Sequence, residues 1–135
     1  MRETVDTIIG MVRLVNRSFA MVPNAEKTIT GSIGFAVVSP KSAIYREFNY
    51  LALTSESNIN SLTAVASGAA YPAVNPEVVA AQTIAIPAAD LIQQFHQTTA
   101  SFFDLIERHC AQTKDLTHLR DWHLPMLMNG QVCVT

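Results

Sequence analysis

Apolar positions in the first third of the chain come in short bursts separated by turn residues. Thr7-Ile8-Ile9 runs into Gly10, Met11-Val12-Arg13-Leu14-Val15 into Asn16, and Phe19-Ala20-Met21-Val22 into Pro23-Asn24. Gly31-Ser32-Ile33-Gly34 leads into Phe35-Ala36-Val37-Val38, which stops at Ser39-Pro40. Runs this short, rich in β-branched and aromatic residues and bounded by Gly, Pro and Asn, predict strands. The paired glycines predict a tight turn or a close backbone approach before a buried strand. From Tyr45 the period lengthens. Phe48, Leu51 and Ala52, then Ile59, Leu62, Val65 and Ala66, recur at helical spacing, which predicts two short helices within 45–66. Ser55, or Ser57 with Asn58, is the expected cap between them. Residues 68–72 read as a loop, and Asn75-Pro76-Glu77 as an N-cap with proline in the first helical position. That helix must be brief, because Gln82-Thr83-Ile84-Ala85-Ile86-Pro87 reads as a strand closed by proline.

The pattern then changes character. Between Ala88 and Leu124 there is neither Gly nor Pro. With Phe95 as an a position, the a line runs Phe95, Phe102, His109, Leu116, His123, and the d line Leu91, Thr98, Leu105, Gln112, Leu119, Met126. Most of these are apolar, and the seam persists for about five heptads. Such a helix is on the order of 55 Å long at 1.5 Å per residue. A chain this size cannot cover it throughout, so the seam calls for a partner helix. The polar positions Thr98, His109, Gln112 and His123 cost stability but select register and partner. Folding back of the helix onto its own domain is the simpler alternative.

Composition narrows the class. The 135 residues are 49% hydrophobic and 15% charged with a formal net charge of −2. That is one ordinary domain, not a disordered chain, a basic nucleic-acid arm or an acidic tail. No apolar run approaches the roughly 18 residues of a membrane span, and no signal-peptide core follows Met1. Two cysteines, Cys110 and Cys133, are too few for a disulfide framework, so a reducing cytoplasm is expected. The charge is unevenly spread. Arg2, Arg13, Arg17, Lys27, Lys41 and Arg46 outnumber the four acids of residues 1–50, residues 51–90 hold no Lys or Arg, and the terminal stretch mixes both signs. A polyanion contact therefore belongs in the first third.

Catalytic constellations are not legible. All four histidines, His96, His109, His118 and His123, fall in the terminal helix. His109 and His123 are roughly 21 Å apart by rise, and His118 and His123 lack the i, i+4 spacing of a helical zinc pair. Cys110 adjoins His109, but neighbouring helical positions diverge by about 100°. Gly31-Ser32-Ile33-Gly34 is neither a phosphate-binding loop nor a dinucleotide fingerprint. An Asp/Asn-Pro-Pro-Tyr/Phe methyltransferase motif is not found.

Three passages together resemble a known family. They are Gly31-Ser32-Ile33-Gly34-Phe35-Ala36-Val37-Val38-Ser39-Pro40-Lys41; residues 62–79 with their Gly68-Ala69-Ala70-Tyr71-Pro72 loop, followed by Ile84-Ala85-Ile86-Pro87; and the ending Leu119-Arg120-Asp121-Trp122-His123-Leu124-Pro125-Met126-Leu127-Met128-Asn129-Gly130-Gln131-Val132-Cys133-Val134. They resemble the target-recognition domain and conserved helix of specificity (S) subunits of type I restriction–modification systems. Gly10-Met11-Val12-Arg13 and Asn16-Arg17-Ser18-Phe19-Ala20 look like the strand pair preceding these passages. The chain corresponds to the later part of one recognition domain plus one helix, where full S subunits carry two of each. Trp122-His123 and Cys133 depart from the family's usual small, apolar or polar residues.

The resemblance implies an α+β fold. A small mixed recognition domain of short strands and helices (1–87) would be followed by a long coiled-coil-type spacer and dimerisation helix (88–129) and a tail (130–135). It implies a non-catalytic subunit without a cofactor of its own, which reads half of a bipartite site in double-stranded DNA. The paired helices set the gap and dock the modification subunits, which methylate adenine with S-adenosylmethionine, while a restriction subunit engages indirectly. Candidate DNA-facing residues are Arg13, Asn16, Arg17, Lys27, Lys41, Tyr71 and Asn75. Candidate helix-pairing residues are Leu91, Phe95, Phe102, Leu105, His109, Leu116 and Leu119. A lone seam predicts a homodimer, and with it a palindromic site. The alternative is a truncated remnant that keeps only dimerisation or subunit interaction, a reading the near-neutral charge favours.

Overall fold

The computed structural model describes residues 5–23, 31–66 and 73–131. The fold is α+β: a three-stranded antiparallel sheet of order β2-β1-β3, three short helices and one long C-terminal helix. β1 (Val5–Gly10) is central, pairing with β2 (Phe19–Pro23) on one side and β3 (Phe35–Val38) on the other. The register sets Ile9 opposite both Phe19 and Ala36, and Thr7 opposite both Met21 and Val38. Directly opposed residues share a face, so this face carries the core. Ile9 and Thr7 are buried, as is Ala36, while Val37 on the other face is exposed.

The stretch 11–15 does not continue as a strand. Met11 is buried and so is Leu14, a spacing of three where a strand would bury every second residue. The Met11 N–H still bonds the Gly34 carbonyl at 2.8 Å, extending the β1–β3 ladder by one step. Val12 then bridges Ala73, and Arg13 turns the chain through a left-handed backbone (φ 51°) into a 3-10 turn, Leu14–Asn16. Arg17 (φ 52°) closes that turn, again left-handed. The close approach anticipated at the paired glycines falls instead at Gly10, where a Cβ would lie 3.0 Å from both Cβ and O of Ser18. Gly31 and Gly34 have ample room, and their segment is a turn closed by the Phe35 N–H to Ser32 O at 3.2 Å.

A second 3-10 turn, Ala43–Tyr45, precedes α1 (Arg46–Leu53) and α2 (Glu56–Ala66). Ser55 is the cap between them: its hydroxyl accepts from the Asn58 N–H at 3.4 Å and its carbonyl takes the first helical bond, from Ile59. The buried Asn58 side chain donates to Leu53 O at 2.7 Å, tying the two helices without an unsatisfied amide. α3 (Pro76–Ala80) starts after Asn75, with proline inside the first turn. Leu53, Leu62, Ala66, Val74 and Val79 complete the core around Ile9, Met11, Leu14 and Ala36.

Residues 82–88 are irregular and pair with no strand among the described residues. Ile84 leans on the core, but Ile86 is exposed, so a single apolar anchor replaces a ladder. Pro87 lacks a donor and biases its predecessor toward extended backbone, which imitates a strand in sequence. Helix α4 (Ala89–Met128) follows and accommodates Pro125 in its last turn. It ends in a Schellman motif: Gly130 adopts φ 68°, Gly130 N–H bonds Leu127 O at 3.2 Å, and Gln131 N–H bonds Met126 O at 2.9 Å. Among the described residues, no helix is long and apolar enough to cross a membrane. The chain divides into two compact units, 1–98 and 99–135.

Candidate nucleic-acid interface

The β1–β2 connection carries three of the candidate residues, Arg13, Asn16 and Arg17. Arg13, Asn16 and Arg17 are all exposed on the 3-10 turn, whose position is set by the buried Leu14 beneath them. Left-handed backbone costs a non-glycine residue roughly 1–2 kcal/mol, so two consecutive arginine corners are a strained way to make a turn. Asn16 N–H to Arg13 O (2.8 Å), Arg17 N–H to Leu14 O (2.9 Å) and Gly10 N–H to Ser18 O (2.6 Å) hold it. The Val12–Ala73 bridge and a Val74 N–H to Met11 O bond of 2.9 Å bring the start of α3 beside this turn. Asn75 therefore neighbours the arginine turn in backbone connectivity. Its side chain makes no capping bond.

Lys41 is not part of this group. Gly10 opposite Phe35 marks one end of the β1–β3 ladder and Thr7 opposite Val38 the other. Lys41 follows the second end, whereas Arg13 follows the first. Lys27 and Tyr71 lie outside the described residues.

Arg17 is paired. Its Nη2 donates to Oε2 of Glu56, the first residue of α2, at 2.5 Å, with both side chains more than half exposed. Arg13 meets no carboxylate among the described residues. A partner 39 residues away on another element leaves no local signature, so Glu56 was not legible as part of this surface.

A second charged group links α1 to α4. The Glu47 carboxylate is fully buried (0% exposed), accepting from its neighbour Arg46 Nε and, at 2.7 Å, lying against Nδ1 of His96 on α4. Nδ1 of His96 and the Glu47 carboxylate share this hydrogen bond, the donor depending on the ring tautomer. Two residues along, the Asn49 amide donates to the buried Thr7 hydroxyl at 3.4 Å. Of the other histidines, His109 and His118 are exposed, and His123 meets Trp122 edge-on at a ring separation of 4.7 Å. Cys110 is exposed. Among the described residues, no group of three His, Cys, Asp or Glu is placed to hold a metal ion.

On α4 two lines of residues differ in their surroundings. Ile92 is buried and His96, one turn on, is half-buried against Glu47. The heptad line lies beside them: Leu91, Phe102, Leu105, His109, Leu116 and Leu119 are exposed, and Phe95 is half-buried. Phe102 is 61% exposed and Leu116 65%, and Leu119, Leu124 and Leu127 are exposed as well, so the apolar exposure runs along much of the helix.

No protein-family model, curated protein or solved structure matches the chain.

Proposed function

We propose that the chain is a cytoplasmic, non-catalytic DNA-recognition subunit of a type I restriction–modification complex. It reads one half-site of double-stranded DNA and pairs with a second copy through α4. The observation that carries this reading is the exposed apolar heptad line, Phe102, Leu105, Leu116 and Leu119, on a 40-residue helix. Burying each such side chain in a partner helix is worth on the order of 1.5–3 kcal/mol, enough for a few of them to hold a dimer. The motif resemblance supplies the class, and the Arg13–Arg17 turn with Asn75 supplies donors suited to a duplex. Methylation and cleavage fall to partner subunits, the modification subunit docking on the paired helices.

The near-neutral charge of −2 favours a second reading, an interaction module that has lost DNA recognition. Binding of the full chain to duplexes carrying randomised bipartite sites, with and without a modification subunit and across a salt series, separates the two. Selective binding that weakens as salt rises supports recognition. Failure to bind at low salt in either condition overturns it and leaves the interaction module.

A further inference from the structure

We infer that Glu56 is a positioning residue that converts Arg17 from a phosphate-binding cation into a base-reading fork, leaving Arg13 to hold the DNA backbone. The inference rests on the DNA-recognition reading and goes beyond it by assigning different tasks to two arginines of one turn.

The Arg17 backbone cannot swing. Its N–H is bonded to Leu14 O at 2.9 Å, its carbonyl accepts from the Phe19 N–H at 3.1 Å, and the next carbonyl, of Ser18, is taken by Gly10 at 2.6 Å. Only the side chain is free to aim, and Glu56 aims it through one terminal nitrogen. A guanidinium has five N–H donors in a planar fork. Whichever hydrogen of Nη2 is given to Glu56, one two-pronged edge stays intact. That edge matches the O6 and N7 acceptors of a guanine in the major groove.

Electrostatics decides between base and phosphate. The Arg17–Glu56 pair carries no net charge, and the Glu56 carboxylate repels an approaching phosphate at close range. A neutral base edge suffers no such repulsion and still finds two donors. Arg13 meets no carboxylate among the described residues, so none of these offsets its charge. It is therefore the cation suited to counterion release at a phosphate. The pair's stabilising role is small: both side chains are more than half exposed, and pairs of that kind add little to folding.

The test uses the full chain and a duplex pool with randomised half-sites, compared as wild type, Glu56→Gln, Arg17→Ala and Arg13→Ala, with thermal unfolding confirming that each variant folds. Glu56→Gln is expected to lose selectivity at one base pair of the half-site, roughly tenfold or more. It should also bind random duplex more tightly, with a salt dependence steeper by about one phosphate contact, because the Arg17 charge is unmasked. Arg17→Ala should lose selectivity at the same base pair. Arg13→Ala should weaken all sequences alike and flatten the salt dependence by about one contact. Unchanged selectivity in Glu56→Gln, with a wild type that does select, overturns this inference and leaves DNA recognition standing. A wild type that selects nothing overturns the DNA-recognition reading itself, and this inference with it.

Discussion

Oε2 of Glu47 lies 2.7 Å from Nδ1 of His96, joining the first turn of α1 to the second turn of α4 across 49 residues of sequence. The carboxylate is fully buried, while both of its charged or polar partners, Arg46 and His96, keep partial access to water. A buried carboxylate is stable only while both oxygens are satisfied. Glu47→Ala leaves Arg46 and His96 facing a void and should cost about 2–4 kcal/mol. His96→Ala leaves Oε2 of the buried carboxylate without this partner and should cost at least as much. A double-mutant cycle by urea unfolding at one fixed protein concentration measures the coupling. A coupling energy near zero would show that the two side chains do not stabilise each other.

Gly10 is the tightest point of the β1–β2 connection. An added Cβ would press against both Cβ and O of Ser18 at 3.0 Å, and the carbonyl is backbone already bonded to the Gly10 N–H. Gly10→Ala should destabilise by about 1–3 kcal/mol through forced displacement of β2. Gly31→Ala, where nothing lies within 4 Å, should be neutral to slightly stabilising through the unfolded chain. Denaturant midpoints of the two variants, compared side by side, check the contrast.

The arginine turn trades stability for display. At φ 51° Arg13 sits where glycine is at ease and an L side chain is not. Arg13→Gly should leave folding unharmed or strengthen it by up to about 1 kcal/mol, the relieved strain being partly offset by chain entropy. Duplex binding by the same variant should fall. A rise in melting temperature together with weaker DNA binding is the expected pair of readings. A drop in stability would mean that the side chain itself holds the turn.

The heptad line of α4 predicts self-association. Leu105→Asp with Leu116→Asp places two charges on exposed seam positions while leaving Ile92 and His96 untouched. The double variant should sediment as a monomer at concentrations where the wild type is a dimer. Its unfolding should lose any dependence on protein concentration. Concentration-independent sedimentation as a monomer by both proteins would remove helix pairing from the account.

Much of the fold was readable because local signals and tertiary context agree. Short apolar runs bounded by turn residues placed β1, β2 and β3, the helical period placed α1 and α2, Asn75-Pro76 started α3, and the stretch without Gly or Pro became α4. Two stretches were misread where those signals part. Met11 and Leu14 are buried three apart on a turn, which a run of apolar residues conceals. Ile84 and Ile86 alternate like a strand, but only Ile84 meets the core. The candidate site was legible in part. Arg13, Asn16 and Arg17 share one turn, the Val12–Ala73 bridge brings the chain leading to Asn75 beside it, and Lys41 follows the other end of the β1–β3 ladder. Glu47, Glu56 and His96 were not legible as partners. Each acts through a contact 39 or 49 residues away, and a single sequence carries no periodicity that announces such pairs.

The central claim is that two copies joined through α4 read one symmetric bipartite site. Sequence selection by the full 135-residue chain from a randomised duplex pool tests it most directly. The account predicts two inverted copies of the same half-site separated by a constant gap. A single undivided motif, or a pool left without any enrichment at low salt, would contradict it.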